Sequence, residues 1–169
     1  AEKYVEIVRP LTDEAALRTN PGNQGRIPLV LSGIVPEPMD LFDALDDMNA
    51  VVVADDLACC GRRLYPAGVS EDPWKRMSER LLGAAPDAMR GSPIQSRVQH
   101  ITRMVRANGA RGVIFYDVKF CEPEQFDLPL VRKALKENDI PTLAVEVELA
   151  DELPGQTLTR LEAFVEMLG

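Results

Sequence analysis

The strongest constraint on the fold is an alternation of short apolar runs with stretches of helical periodicity. Ile27–Ser32 (IPLVLS), Ala50–Ala54 (AVVVA), Gly112–Tyr116 (GVIFY) and Thr142–Val147 (TLAVEV) are apolar along most of their length. Runs of this kind read as strands covered on both faces. Between them, Met39–Met48 places Leu41, Phe42, Leu45 and Met48 at helical spacing. Ile94–Asn108 does the same with Val98, Ile101, Met104 and Val105, and Asn108-Gly109 is a helix stop. Pro73–Leu82 opens on a proline, as a first helical turn allows. Pro123–Asn138 reads as largely helical, with Pro129 a kink or break. Gln156–Leu168 carries Leu158, Leu161, Phe164, Val165 and Leu168 on one face. Such alternation predicts an α/β fold: a three-layer, Rossmann-like parallel sheet of at least four strands with helices on both faces. Residues 1–25 read as a helical and linker segment, with a helix over Thr12–Arg18 starting near Thr12 or Asp13 and then a Pro-Gly-Asn loop. Residues 26–169 form the Rossmann-like domain, and DDLACCGRRLYPAG and GAAPDAMRGSP read as loops within it.

Charge and length narrow the function. With 169 residues the chain can bury the core of one ordinary domain. A net charge of −8 gives no basic face to neutralise phosphates, so no nucleic acid is expected as a partner. No apolar run approaches the roughly 18 residues of a membrane span, and AEKYVEIVRP is no signal peptide, so no membrane is expected either. The absence of an initiator methionine leads us to expect a piece of a longer protein.

Three cysteines remain: Cys59, Cys60 and Cys121. An odd count with two adjacent is a poor disulfide framework and fits a reducing, cytoplasmic compartment. The plain alternative is that all three are small buried hydrophobes. In open parallel sheets, ligands sit beyond the carboxyl ends of the strands. DDLACC follows AVVVA, DVKFCEP follows GVIFY, and the acidic stretch from Glu146 to Glu152 follows TLAV, so all three fall on that edge. A zinc site lacks a CxxC pair, and His100 falls inside a helix. A thioredoxin-type CxxC is also absent, SGIVPEP is not a phosphate-binding glycine loop, and no base is spaced for nucleophilic catalysis. An iron-sulfur cluster needs several thiolates, and two from this chain with more from elsewhere would serve.

Three blocks carry a resemblance: VVVADDLACCGRRLY, GVIFYDVKFCEPEQFDLPLVRKALKENDIPTLAVEVE and GQTLTRLEAFVEML. From about Arg26 to Gly169 the chain resembles the carboxy-terminal domain of the 2-hydroxyacyl-CoA dehydratase and benzoyl-CoA reductase subunit family. The resemblance implies an enzyme subunit in which residues 26–169 help bind a 4Fe-4S cluster. It implies one cysteine ligand from the Asp-Asp loop, one from the Lys-Phe-Cys loop and one from an earlier domain. Cys121 takes the second place. Cys59 takes the first, because the family cysteine stands two residues before the glycine of a Gly-x-Arg segment, with Cys60 as the alternative. The cluster would then be absent or incomplete on this chain alone. The implied partners are an acyl-CoA substrate, a homologous partner subunit and an ATP-dependent activator that delivers one low-potential electron. The implied reactions are radical dehydration of a 2-hydroxyacyl-CoA or reduction of an aromatic acyl-CoA.

Around the ligands, Asp55 and Asp56 would orient the loop or cap the segment after it. Arg62 and Arg63 would hold a CoA phosphate or lie as surface charges. Lys119 would tune Cys121 or pair with a carboxylate. Gln156 and Arg160, one turn apart, would reach the cluster edge or merely cap and pair. The rival readings are an electron-relay subunit without catalysis, and a small-molecule-binding α/β module whose cysteines are structural.

Overall fold

A computed structural model describes residues 2–17, 25–149 and 152–169 of the chain. Its described elements are α1 (Glu2–Leu17), β1 (Ile27–Gly33), α2 (Asp40–Asp47), β2 (Ala50–Leu57), α3 (Pro73–Leu82), α4 (Ile94–Ala107), β3 (Gly112–Val118), α5 (Glu122–Lys136), β4 (Thr142–Val147) and α6 (Gly155–Leu168), with 3-10 turns at Gly61–Arg63 and Ala88–Arg90. The four strands pair in parallel in the order β2-β1-β3-β4. The expected α/β architecture is therefore present.

Both faces of the sheet are covered. Leu29, Leu31, Ile114, Tyr116, Val145 and Val147 face α2 and α6, meeting Leu41, Leu45, Leu161 and Phe164. Val30, Val113 and Phe115 face α4 and α5, meeting Val98, Ile101, Val131 and Leu135. Full burial of each such side chain stabilises the fold by roughly 1.5–3 kcal/mol. Among the described residues, no helix is long and apolar enough to cross a membrane.

Three details differ from the sequence reading. The amino-terminal helix starts at Glu2 rather than near Thr12. Thr12 does not cap it, because its hydroxyl donates back to the carbonyls of Val8 and Arg9. Arg18 and the Pro-Gly-Asn loop lie outside the described residues. Pro129 sits inside α5 without dividing it. The helix α3 spans Pro73–Leu82 as the sequence reading has it, and it buries none of its residues, so Trp74, Met77 and Leu82 are exposed.

The third difference matters most for function. The segment read as a loop from Asp55 onward is strand as far as Leu57, paired Leu31↔Asp55, Ser32↔Asp56 and Gly33↔Leu57. A bulge precedes it: Leu29 pairs with Val52 and Val30 with Ala54, leaving Val53 as the extra residue. Because side chains alternate, one extra residue exchanges the faces of everything after it. Val52 therefore packs on the α2/α6 side, whereas Ala54 packs on the α4/α5 side with Asp56 beyond it.

Candidate functional site

The chain order reverses direction across the sheet between β1 and β3, which marks the crevice where open α/β sheets take ligands. At the carboxyl end of β1, Gly33 has φ +152°, and a Cβ there would lie 2.1 Å from the Tyr116 carbonyl oxygen. Only glycine lets the two strand ends run this close.

The thiol loops flank that crevice. Beyond β2, the Ala58 and Cys59 amides donate to the Gly33 and Ile34 carbonyls at 2.9 and 3.0 Å, so this loop lies along the end of β1. Asp55 organises it: one carboxylate oxygen accepts from Leu57 N at 3.2 Å and Gly61 N at 2.7 Å. Gly61 is required here, since a Cβ would lie 2.2 Å from the Asp55 carbonyl oxygen. Beyond β3, the Lys119 amide donates to the Val147 carbonyl at 2.8 Å. Phe120 then turns the chain with φ 66°, an unfavourable value for a non-glycine residue, and is exposed. Cys121 follows at the N-cap of α5, and its side chain accepts no capping hydrogen bond.

Cys59 and Cys60 are exposed, Cys121 is half-buried, and all three are free. β2 and β3 are separated only by β1, so the two loops leave the sheet about 10 Å apart at strand level. Cys59 and Cys60 do not diverge as an extended loop would make them: their sulfurs lie 3.3 Å apart. The cause is a turn, closed by the Cys60 amide on the Leu57 carbonyl at 3.1 Å. The hydrogen bond to the Cys59 sulfur, slight burial and the Asp55 charge push the Cys60 thiol above its ordinary pKa.

Beneath the loops, on the α4/α5 side, lies a buried charged cluster. Arg62 is not a surface charge; it is 3% exposed and donates to Glu124 and, at 3.2 Å, to Asp56. Asp56 accepts from Ser32 Oγ at 2.9 Å, and its other oxygen lies 3.3 Å from His100 Nε2. Arg97 bridges Glu124 at 2.5 Å and Asp127 at 2.8 Å. Burial alone would raise the Asp56 pKa, but His100 and Arg62 together hold it below the ordinary carboxylate range. Burial would weaken the Arg62 proton, yet the Asp56 and Glu124 charges more than offset this and keep it cationic.

Asp117 stands apart from its neighbours. It is 3% exposed, and its Oδ2 has no hydrogen-bond partner. Burial, followed by the Glu124 charge, pushes its pKa up to about 6 against the pull of Arg97 and Arg62. It lines a cleft of about 360 Å³ with Gln125, Glu146 and Arg160.

The remaining nominated residues scatter. Lys119 pairs with Glu148 at 2.5 Å, in the open, raising its own pKa and lowering that of Glu148. Arg160 reaches past the sheet edge to the Ala144 carbonyl at 2.6 Å. Gln156 is exposed, and Arg63 donates to the Ala58 carbonyl at 3.1 Å. Sequence reasoning missed Ser32, Arg97, Asp117 and Glu124. A signal was present for two of them: Arg97 and Glu124 occupy core-facing helical positions, in phase with Ile101 and Val131, where a charge needs a buried partner.

Chemically, the edge offers soft donors and little else. Among the described residues, no group of three or more His, Cys, Asp or Glu is placed to hold a metal ion. Asp55 and Asp56 are committed to the backbone and to Arg62, which leaves the thiols of two loops. That donor set fits part, but not all, of the ligand shell of a thiolate-bound iron-sulfur centre.

A parallel α/β sheet with cysteine-bearing loops beside its crevice defines a class, and comparison with known proteins gives the family. Residues 1–168 match the family model described as 2-hydroxyglutaryl-CoA dehydratase, D-component, and the chain belongs to that family. It is 30% identical to the (R)-phenyllactyl-CoA dehydratase beta subunit of Clostridium sporogenes, over 99% of this chain and 44% of that protein. It is 28% identical to (R)-2-hydroxyglutaryl-CoA dehydratase subunit beta of Acidaminococcus fermentans, over 99% and 45%. A benzoyl-CoA reductase subunit of Thauera aromatica is 23% identical over 77% and 35%. The chain thus spans less than half the length of these relatives.

Proposed function

We propose that this chain is the part of an acyl-CoA dehydratase or reductase subunit that supplies two cysteine ligands, Cys59 and Cys121, to a 4Fe-4S cluster. The observation that carries the reading is the placement of two uncommitted thiol loops on either side of the sheet crevice. Such a cluster, when bound, supplies a low-potential electron and a Lewis-acidic iron. The chain's own residues do the rest. The Asp55 carboxylate and the Gly61 amide fix the Cys59 loop. Left-handed Phe120 delivers Cys121 to the start of α5. Cys60, hydrogen-bonded to Cys59, is the neighbour of the ligand rather than a ligand.

The relatives named as beta subunits support a homologous partner subunit, and their acyl-CoA names support an acyl-CoA substrate. An ATP-dependent activator and a reducing cytoplasmic setting complete the proposal. The test is iron and sulfide analysis of the full-length protein, prepared anaerobically. Cys59→Ser and Cys121→Ser each lose most of the iron, while Cys60→Ser keeps it. An iron-free wild-type protein refutes the cluster. Equal iron in all three variants refutes the ligand assignment.

A further inference from the structure

We infer that the buried Arg62–Glu124 ion pair is a strut that sets the separation of the two thiol loops, independently of any metal. Arg62 lies just beyond Cys59 and Cys60, and Glu124 lies just beyond Cys121. The ion pair therefore joins the two loops at their roots, across a sequence separation of 62 residues. Both side chains are almost completely buried, at 1% and 3% exposure. A pair this buried holds one geometry, because rotation of either group would strand a charge away from water.

Each end is also braced. Arg62 is held from the β2 side by Asp56, which is itself fixed by Ser32 on β1 and His100 on α4. Glu124 is held from the α4 side by Arg97, which Asp127 anchors in turn. Among the described residues no backbone hydrogen bond joins the two loops directly, and their roots are otherwise linked only through the β2-β1-β3 ladder. The Cys59 loop hydrogen-bonds to the chain after β1, and the loop before Cys121 hydrogen-bonds to the end of β4. The two loops are thus anchored to different strands on opposite sides of the crevice, and the strut spans between them. Arg62 and Glu124 are positioning residues, acting on the thiols through the loop roots.

The inference rests on the proposed pairing of Cys59 with Cys121 around one group, and its test keeps the two apart. The full polypeptide is prepared reduced and iron-free, in a Cys60→Ser background. It is treated with bis-maleimides of graded length, and the Cys59–Cys121 cross-link is quantified by peptide mapping. The parent cross-links efficiently with one preferred length. The double variant Arg62→Met/Glu124→Met removes the strut with both of its charges, while Asp56 keeps His100 and Arg97 keeps Asp127. Its cross-linking falls about tenfold and loses its length preference, as effective concentration does when two groups are no longer held at one separation. Glu124→Gln keeps the side-chain shape and serves where the double variant does not fold; its yield falls about threefold on the same argument. Asp46→Asn is the control. It weakens the Arg26–Asp46 ion pair, which involves neither the strut nor its braces, and its cross-linking matches the parent. Parent-level cross-linking in a folded double variant, or in Glu124→Gln, overturns the inference, as does a loss of equal size in Asp46→Asn. If the folded parent gives no cross-link at any length, the two cysteines do not share a site. The cluster reading then fails first and takes the strut with it.

Discussion

The sheet face under α2 and α6 and the face under α4 and α5 are made by the same four strands, yet they are filled differently. The first is filled mainly by apolar groups, with Leu29, Leu31 and Leu161 almost wholly buried beside Tyr116, whose buried hydroxyl has no hydrogen-bond partner. The second is apolar only in its amino half, around Val30, Val113 and Phe115. Its carboxyl half holds Asp56, Arg62, Arg97, Asp117 and Glu124, each 3% exposed or less. Buried ion pairs are a weak source of stability, since desolvation offsets most of the attraction. Their concentration directly beneath the thiol loops indicates that this half of the face is built to hold those loops in place.

Removing single groups from each face separates the two designs. Arg62→Met leaves Asp56 and Glu124 buried with part of their neutralising charge gone, and we expect a loss of about 3–5 kcal/mol in denaturant unfolding. The double variant Arg62→Met/Glu124→Met does not recover that loss, because Asp56 stays buried with His100 as its remaining partner and Arg97 is left with Asp127 alone. A double variant as stable as the parent would show that Asp56 and Arg97 do not need these partners, and that the cluster is not coupled as one unit.

On the apolar face, Leu161→Ala opens a cavity beneath β3 and β4 and costs about 3 kcal/mol. That cost stays the same from pH 5 to pH 8, because no titrating group is involved. A marked pH dependence at Leu161 would show that the charged half communicates across the sheet.

The sequence made these faces unequally legible. The strands and the α2, α4 and α6 faces follow from periodicity, because apolar burial is repeated along each element and one residue more or less does not hide it. Pro129 misled only locally, as its neighbours carry the helix past one missing amide donor. The charged half was opaque for a different reason. Asp55 and Asp56 look like the start of a loop, and only partners distant in the chain make them strand residues. The bulge at Val53 decides that Asp56 faces Arg62, and no local signal in AVVVADD announces it. Cys59, Cys60 and Cys121 could be placed at one edge because topology alone does that. The turn that brings the Cys59 and Cys60 sulfurs together depends on Gly61 tucking under the Asp55 carbonyl, a contact with no sequence signature.

Asp117 sharpens the contrast further. Its folded pKa of about 6 lies above its ordinary 3.8, so the folded state binds the proton more tightly than the unfolded state does. The stability it contributes is complete below about pH 4 and is lost as pH rises through about 6. Asp117→Asn replaces the buried charge with a neutral group of the same shape. It should stabilise the protein by about 3 kcal/mol at pH 8 and leave it unchanged near pH 4. Melting temperatures across that range give the answer. A substitution that destabilises equally at both ends would mean that Asp117 is paired as a carboxylate and belongs with the strut.

The smallest effect is expected where the bond is just as short. Lys119–Glu148 and Arg97–Glu124 both measure 2.5 Å, so distance does not distinguish them. Burial does: the Lys119 and Glu148 side chains are 39% and 66% exposed, against 2% and 3% for Arg97 and Glu124. In the exposed pair, water screens both charges whether or not they touch, and holding two long side chains together costs rotamer freedom. In the buried pair, breaking the contact leaves a carboxylate with no solvent to replace the lost donor. Lys119→Met should therefore leave the denaturation midpoint unchanged, and added salt should not alter that result. Arg97→Met should shift the midpoint strongly, and salt should restore little of it. Measuring both variants at low and high ionic strength checks the argument. A clear loss at Lys119 that salt abolishes would show that the Cys121 loop depends on a surface charge, and that the charged region extends beyond the buried half-face to the loop itself.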